Sequence, residues 1–229
     1  MPVKIHIIRN QMAPSYLIEY DGGLVLVDTG GPGAGPRLLR AIQELSKGDL
    51  RLIFITHAHL DHYGSAAALR GLTGAPIAIH PADAAAMQRG ETIIGAARGR
   101  GRLLQLFMPT IQPFIHLTPT APDLLLEDGE ELSRFGLHAA VLHTPGHTAG
   151  SCCLVVEERL VFAGDLVSNT GRPHFQRYYA QDWSQLAQSL GRLKSLQPEW
   201  VYPGHGIQPL SGQALQKLRV EVVDEHQRG

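Results

Sequence analysis

Long runs of apolar residues are absent from this sequence, although 44% of its 229 residues are hydrophobic. A helix that spans a bilayer needs about 20 consecutive apolar residues, so no transmembrane segment is expected. The amino terminus also lacks the apolar core and the small-residue cleavage site of a secretory signal. We therefore expect a cytoplasmic protein without a membrane partner. Residues 1–229 have the length of one domain with a sizeable core.

The chain also has little net charge and only two cysteines. Its 20 lysines and arginines nearly balance its 21 aspartates and glutamates, which leaves a formal net charge of -1. Nucleic-acid binding requires basic side chains that neutralise phosphates, so no nucleic-acid partner is expected. Cys152 and Cys153 are neighbours in an apolar stretch. Neighbours in a strand point to opposite faces, which disfavours a disulfide, and we interpret both as small buried hydrophobic residues.

Histidine is plentiful by contrast, with 12 residues, and the densest group lies at residues 56–62. This heptapeptide, THAHLDH, holds four metal-competent side chains within six positions. It follows Leu52–Ile55, a β-branched and aromatic run that predicts a buried strand. Imidazole and carboxylate groups suit divalent ions such as zinc. Because four ligands so close together cannot all bind one ion without severe backbone strain, the pattern implies a second ion or distant ligands.

Four further motifs accompany the heptapeptide. They are Asp28-Thr29-Gly30 after a predicted strand, HTPGHT at residues 143–148, FAGD at residues 162–165 and PGHG at residues 203–206. With these motifs in this order, the chain resembles the metallo-β-lactamase-fold superfamily over nearly its whole length, and within it the glyoxalase II-like metallohydrolases. The resemblance implies the α/β fold of that superfamily, a four-layer αββα sandwich.

The same resemblance implies a site for two divalent metal ions, with zinc expected and iron or manganese also suited to the donor set. One ion would be held by three histidines, the other by an aspartate and two histidines, and a further aspartate would bridge the two. These residues are, in that order, His57, His59 and His147; Asp61, His62 and His205; and Asp165. Asp28 would support the metal loop by hydrogen bonds without binding metal.

For this site the resemblance implies a hydrolase in which Asp61 and Asp165 are the catalytic carboxylates. Two ions that share a water would supply hydroxide near neutral pH and polarise the substrate oxygen. That hydroxide would attack the carbonyl carbon of a thioester, ester or lactone. Water or Asp165 would protonate the leaving group. We expect a small-molecule substrate and leave open whether the chain forms a homodimer.

Other activities of the same fold are kept as alternatives. An iron-dependent persulfide dioxygenase uses one iron held by two histidines and an aspartate, whereas this chain has a full second ligand set. Acyl-homoserine lactonases place a tyrosine three residues after the bridging aspartate, where this chain has Ser168. Tyr178 or Tyr179 could approach the site from the following loop instead. A phosphodiesterase or nuclease is a further alternative, and a β-lactamase is disfavoured because no secretion signal is recognised.

Glutathione recognition is not expected from this sequence. Glyoxalase II enzymes carry an added helical region after the last metal motif, whereas this chain ends soon after residues 203–206. Arg172 lies near the position of their basic thiol-binding residue, but the surrounding pattern differs. Whether Arg98, Arg100, Arg102 or Arg172 contacts substrate is left open.

Residues 90–122 depart from regular patterning, with glycines in the first part and prolines in the second. Between and beyond them lies an apolar stripe of Leu103, Leu104, Leu106, Phe107, Met108 and Phe114. Long irregular segments of compact domains are commonly lids or binding loops. We therefore predict that residues 90–122 form a lid or a wall of the substrate pocket.

Weaker patterns give the remaining predictions. Strands of a second sheet are predicted at residues 124–126, 131–133 and 137–142, and a terminal helix is predicted from Ser211 through Val222. A further helix begins after His80, where Asp83 carries a favourable charge at its positive end. We interpret His80 and His143 as structural residues rather than metal ligands.

Overall fold

The computed structural model describes residues 3–45, 49–99, 101–111 and 117–219, without the side chains of Leu104, Met108, Pro109 and Ile111. The strands are β1 (Lys4–Ile8), β2 (Ser15–Tyr20), β3 (Gly23–Val27), β4 (Leu50–Phe54), β5 (Ile77–Ile79), β6 (Ala96–Ala97), β7 (Leu124–Leu125), β8 (Ala139–His143), β9 (Cys152–Val156), β10 (Leu160–Phe162), β11 (Val167–Ser168), β12 (His174–Phe175), β13 (Tyr179–Ala180), β14 (Trp200–Tyr202) and β15 (Leu210–Ser211). The helices are α1 (Gly35–Glu44), α2 (Leu60–Tyr63), α3 (Ala66–Thr73), α4 (Pro81–Arg89), α5 (Gly101–Ile111), α6 (Trp183–Ser195) and α7 (Gly212–Lys217).

Two sheets form the middle of the molecule. The first has the order β1-β2-β3-β4-β5-β7 and the second the order β15-β14-β10-β9-β8. In the first sheet β1 to β3 are antiparallel and the remaining neighbours are parallel. In the second sheet only the pair of β10 and β14 is parallel. Parallel neighbours end at the same edge, which collects the loops that follow them.

Three apolar cores separate the four layers. Alternation along β3 assigns its residues to two of them, because Leu24 and Leu26 pack beneath α1, α3 and α4 while Val25 and Val27 pack against the second sheet. The third core lies between the second sheet and α6 with α7, and it includes Val161. The predicted four-layer αββα sandwich is therefore confirmed. Among the described residues, no helix has both the length and the apolar character needed to cross a bilayer.

The structure has the helix predicted from Asp182 and the strand predicted to contain the two cysteines. Helix α6 begins at Asp182, whose carboxylate accepts hydrogen bonds from the backbone N–H groups of Ser184 and Gln185. The apolar face of α6, with Leu186 and Leu190, is buried. The adjacent cysteines lie in β9 on opposite faces, since Cys152 packs between the sheets and Cys153 packs beneath α6.

Three predictions about secondary structure were wrong. Leu124–Leu125 joins the first sheet beside β5, because parallel pairing extends the hydrogen-bonded edge that β5 leaves open. Residues 131–133 do not form a strand: a single bridge joins Glu131 to Ala140, and a 3-10 turn begins at Ser133. Residues 90–122 are not irregular throughout, because α5 occupies 101–111. The stretch from Arg102 to Met108 contains neither glycine nor proline, which permits that helix.

Other predictions extend beyond the described residues. Helix α7 has Ser211 as its N-cap and ends at Lys217, because Leu218 is extended, so it is shorter than predicted; Val222 lies outside the described residues. Phe114 and Arg100 also lie outside them. The role of residues 90–122 as a lid or pocket wall stays a prediction, as does the organisation of residues 1–229 as one domain.

Candidate metal centre

The seven side chains predicted to hold metal lie together at one edge of the sandwich. Residues 57–62 follow β4, and His147 follows β8. Asp165 occupies a 3-10 turn after β10, and His205 follows β14. The parallel pairs of each sheet end at this edge, which explains why residues up to 148 positions apart in sequence meet there. His57 and His62 are fully buried.

The seven residues fall into two groups. Donor atoms of His57, His59, His147 and Asp165 lie within 4.8 Å of one another, and those of Asp61, His62 and His205 form a second such group. This division matches the two ligand sets implied by the resemblance. Metal binding by these residues stays a prediction.

Asp165 lies between the two groups. Its Oδ2 is 3.3 Å from Nε2 of His147, and its Oδ1 is 3.2 Å from Nε2 of His62 and 3.3 Å from Nε2 of His205. Gly204 permits this approach, because a Cβ at that position would lie 2.3 Å from Oδ1 of Asp165. The glycine before His205 is thus required by the packing of the centre itself.

Four histidine rings are fixed through the nitrogen that points away from the centre. Nδ1 of His57 lies 3.0 Å from the Thr56 hydroxyl, and Nδ1 of His62 lies 2.7 Å from a carboxylate oxygen of Asp28. Nε2 of His59 lies 3.0 Å from the carbonyl of Ile93, and Nδ1 of His147 lies 3.1 Å from the carbonyl of Tyr179. Such outer contacts orient rings toward a metal.

The contacts of His59 and His147 also assign their protons. A carbonyl can only accept, so the outer nitrogen of each ring must donate, and in a neutral ring the inner nitrogen then carries a lone pair. These inner nitrogens, Nδ1 of His59 and Nε2 of His147, face each other at 3.0 Å. Burial, followed by the neighbouring His59, lowers the pKa of His147 to about 3, so that ring is neutral. Two facing lone pairs would repel, so a proton or a metal cation must lie between these two nitrogens.

Unpartnered buried atoms point to the same requirement. Five buried side-chain atoms make no hydrogen bond of good geometry among the described residues: Oδ1 of Asn10, Oγ1 of Thr92, Nε2 of His57, Nε2 of His62 and Oδ1 of Asp165. Each such atom costs about 1–3 kcal/mol of stability unless something satisfies it. The last three belong to the two groups, where Oδ1 of Asp165 and Nε2 of His62 form only an ion-pair contact of 3.2 Å, and imidazole and carboxylate donors suit divalent metals. The residues present therefore fit a pair of divalent cations.

The carboxylates of the centre create a field that favours positive charge. Asp165, against the opposing effect of burial, raises the pKa of His205 to about 9. Burial would lower the pKa of His62, but Asp28, Asp165 and Asp61 together raise it well above its ordinary value. A divalent cation supplies the positive charge that this field stabilises.

Asp28 makes the contacts expected of a supporting residue. Its Oδ1 accepts a hydrogen bond of 2.8 Å from the backbone N–H of Thr56, and its Oδ2 accepts from the Thr56 hydroxyl at 2.9 Å. Oδ2 also contacts His62. The residue has a φ of 57°, a conformation that costs a non-glycine residue energy. That cost is offset by three hydrogen bonds to the ligand loop.

Tyr179 is a neighbour of the centre that the sequence did not single out from Tyr178. Its ring centroid lies 5.7 Å from that of His147 and 6.4 Å from that of His59. The ring of Tyr178 instead lies near His174, because successive strand residues face opposite ways. No sequence signal distinguishes the two tyrosines, since the register of β13 against β6 decides which one faces the ligand groups.

Among the described residues, the other candidates belong to neither of the two ligand groups. The guanidinium of Arg98 lies 4.2 Å from the ring centroid of Trp183, and the side chains of Arg102 and Arg172 are exposed. His80 caps α4 by accepting a hydrogen bond from the N–H of Ala82, and its ring stacks on His143 at 3.9 Å. These two histidines thus have structural contacts.

Comparison with known proteins identifies the family. The model of the Metallo-beta-lactamase superfamily matches residues 9–205. The chain belongs to this superfamily. Among solved members, TTHA1623, determined in a di-iron-bound form, is 28% identical with a TM-score of 0.69, and the match covers 93% of this chain and 97% of that one. The BLEG-1 B3 metallo-beta-lactamase, at 24% identity and a TM-score of 0.72, shares the fold over 93% of this chain and 95% of its own.

Superfamily members with described activities are distant relatives. Hydroxyacylglutathione hydrolase GloC of Haemophilus influenzae is 30% identical over 87% of this chain and 87% of its own length. Acyl-coenzyme A thioesterase MBLAC2 of Gallus gallus is 29% identical over 76% of this chain but only 58% of its own length. The chain spans 58% to 62% of the length of several curated relatives that it matches.

Proposed function

We propose that this protein is a two-metal hydrolase that cleaves the acyl bond of a small-molecule thioester, ester or lactone. The observation that carries the proposal is the pair of donor groups on either side of Asp165, in which inner nitrogens and a carboxylate oxygen face one another without other partners. A single-iron oxygenase would need only one such group. The second group therefore favours the hydrolase over the dioxygenase.

The ligand assignment follows the two groups. His57, His59 and His147 would hold one ion, Asp61, His62 and His205 the other, and Asp165 both. When bound, two such ions lower the pKa of a shared water and polarise a substrate oxygen. Zinc suits these donors. Iron is the alternative, since a relative has been determined in a di-iron-bound form.

Tyr179 is our candidate for a direct contact with substrate. Its phenol has no hydrogen-bond partner among the described residues, and its ring borders both His59 and His147. Burial, with Asp165 and Asp61, raises the pKa of Tyr179 above its ordinary value, so the phenol stays protonated near neutral pH. A protonated phenol at this place can donate a hydrogen bond to the acyl oxygen as negative charge develops on it.

Helix α5 supports an apolar acyl group in the substrate. Leu103, Leu106 and Phe107 are exposed on it, with Leu106 exposed by 69%. Strand β6, just before α5, pairs with β13 and so connects this segment to Tyr179. Two relatives named as a thioesterase and as a hydroxyacylglutathione hydrolase support the thioester within the proposed range. The near-neutral charge supports a small molecule rather than a nucleic acid.

A substrate screen with metal removal tests the proposal. Acyl thioesters, esters, lactones and phosphodiesters would be offered to the protein as purified, after chelation and after zinc is restored. We expect turnover of a thioester or lactone that chelation abolishes and zinc restores. Turnover that survives complete chelation, or oxygen consumption with a persulfide, would refute the hydrolase assignment.

A further inference from the structure

Asp83 is a buried carboxylate that lies outside both ligand groups. It occupies the first turn of α4 and is only 4% exposed. Its Oδ2 accepts hydrogen bonds from the backbone N–H of Ala58 and from the hydroxyl of Thr148, each at 2.8 Å. Its Oδ1 accepts one from the backbone N–H of Gly150, also at 2.8 Å. A buried carboxylate with three donors around it is a fixed structural centre.

The donors to Asp83 come from two different ligand loops. Ala58 lies between His57 and His59, whereas Thr148 directly follows His147. One carboxylate therefore joins the two chain segments that supply all three histidines of the first ligand group. Among the described residues, no other carboxylate accepts hydrogen bonds from the backbones of both loops, and Asp28 contacts only the first loop, at Thr56 and His62.

The surrounding residues are shaped to this contact. A Cβ on Gly150 would lie 2.6 Å from Cγ of Asp83, so only glycine lets the second loop close on the carboxylate. A carboxylate can accept from all three donors through its two oxygens, whereas an asparagine would present its NH₂ group to at least one of them. The contact thus requires both carboxylate oxygens of aspartate as well as its shape.

We infer that Asp83 is a positioning residue that locks the His57–His59 loop against the His147 loop and thereby sets the geometry of the first ligand group. The inference rests on the proposed two-metal function. Asp28 has the corresponding role for the second group, since it orients His62. The second group is held by contacts that do not involve Asp83, including the bond from Asn169 N–H to the carbonyl of His205.

Metal titration tests whether Asp83 supports the first ligand group and not the second. Demetallated full-length wild-type protein and the Asp83→Asn variant would be titrated with Zn²⁺ by calorimetry, and with Co²⁺ while the visible spectrum is recorded. We expect two ions for wild type. In the variant we expect one ion at wild-type affinity and the other weakened roughly 10- to 100-fold, as is usual when a residue that orients ligands is lost.

Matched variants guard against a general loss of folding. Glu19→Gln removes another buried carboxylate, in β2, and should leave both ions bound as in wild type. Thr148→Val removes one hydrogen bond to Asp83 and should weaken the same ion by a smaller factor, while Thr148→Ser retains the hydroxyl and both affinities. The Thr148 pair decides the matter should Asp83→Asn fail to fold.

The outcomes distinguish this inference from the function on which it rests. A folded Asp83→Asn protein that binds two ions with wild-type affinities and an unchanged cobalt spectrum overturns the role of Asp83 alone. Equal affinities in Thr148→Val and Thr148→Ser do the same. A wild-type protein that takes up fewer than two ions overturns the two-metal proposal instead.

Discussion

The ligand loops and helix α5 differ in how they are held. The loops are buried, and their backbone N–H groups are bound by the carboxylates of Asp28 and Asp83. Helix α5 exposes large apolar side chains, with Phe107 exposed by 55%, and is joined to the centre through the short pairing of β6 with β13. We propose that buried polar contacts fix the chemistry, while the exposed apolar surface of α5 contributes to substrate choice.

Loss of a ligand should have the largest effect. Asp61→Ala would remove a donor of the second group, whose carboxylate lies 3.4 Å from Nε2 of His205. We expect one bound ion in place of two, and a loss of activity beyond the roughly 100-fold typical of supporting residues. Elemental analysis and hydrolysis rates measure both. Because Asp61 is partly exposed, the fold should persist, and two ions in the variant would show that the ligand assignment is wrong.

Loss of the phenol should have the next largest effect. Tyr179→Phe would remove a hydrogen-bond donor and keep the ring, so we expect kcat to fall by about 100-fold with little change in KM or metal content. Tyr178→Phe is the matched control, because that ring faces away from the metal groups. Equal rates for the two variants would exclude Tyr179 from contact with the reacting oxygen.

Substitution on helix α5 should change preference rather than chemistry. Phe107→Ala would remove exposed apolar surface, so we expect the ratio of kcat/KM values for long and short acyl substrates to change by roughly 10-fold. Leu196→Ala removes an exposed leucine from the end of α6 and serves as control. If Phe107→Ala leaves the ratio of kcat/KM values unchanged, α5 does not determine substrate choice. The proposed difference in role between α5 and the ligand loops would then be wrong.

The smallest effect concerns the cap of α4, the helix that carries Asp83. Burial, and then His143, lowers the pKa of His80 below its ordinary value, so its neutral form is favoured in the fold. The resulting stability is present above the unfolded pKa of about 6.5 and is lost as pH falls below it. His80→Asn keeps a capping side chain that does not titrate. Between pH 8 and pH 5 we expect wild type to lose a few tenths of a kcal/mol more than the variant, because the ring is partly exposed.

Urea unfolding at the two pH values measures this difference. A wild-type protein whose free energy of unfolding changes with pH as much as that of His80→Asn would show that His80 titrates without cost to the cap. Such a result would limit the contacts that hold the ligand loops to those of Asp28 and Asp83. The comparison between the ligand loops and helix α5 would be unaffected.

The features of this protein that could be predicted from the sequence are those formed by residues close together in the chain. Residues 57–62 follow a short apolar strand directly and predict a metal loop, and together with the four other motifs in order they predicted the superfamily fold. The supporting contacts of Asp83 could not be predicted, because they depend on backbone N–H groups 25 and 67 residues away. Backbone donors leave no mark in the sequence.

The errors in the predicted elements have a related cause. Glycines and prolines within residues 90–122 concealed the 11-residue helix α5. Its stretch from Arg102 to Met108 contains neither residue type. Assignment of residues 124–125 to a sheet depends on which strand edge is open in three dimensions, and β5 supplies that edge. The side on which Tyr179 lies is likewise set by pairing between strands of two residues each.

The most direct test of the two-metal centre is the metal content of the wild-type protein. The protein would be demetallated, equilibrated with excess zinc, freed of unbound metal and measured by elemental analysis. Two ions per chain are predicted, since two donor groups flank Asp165. One ion or none per folded chain would contradict the account.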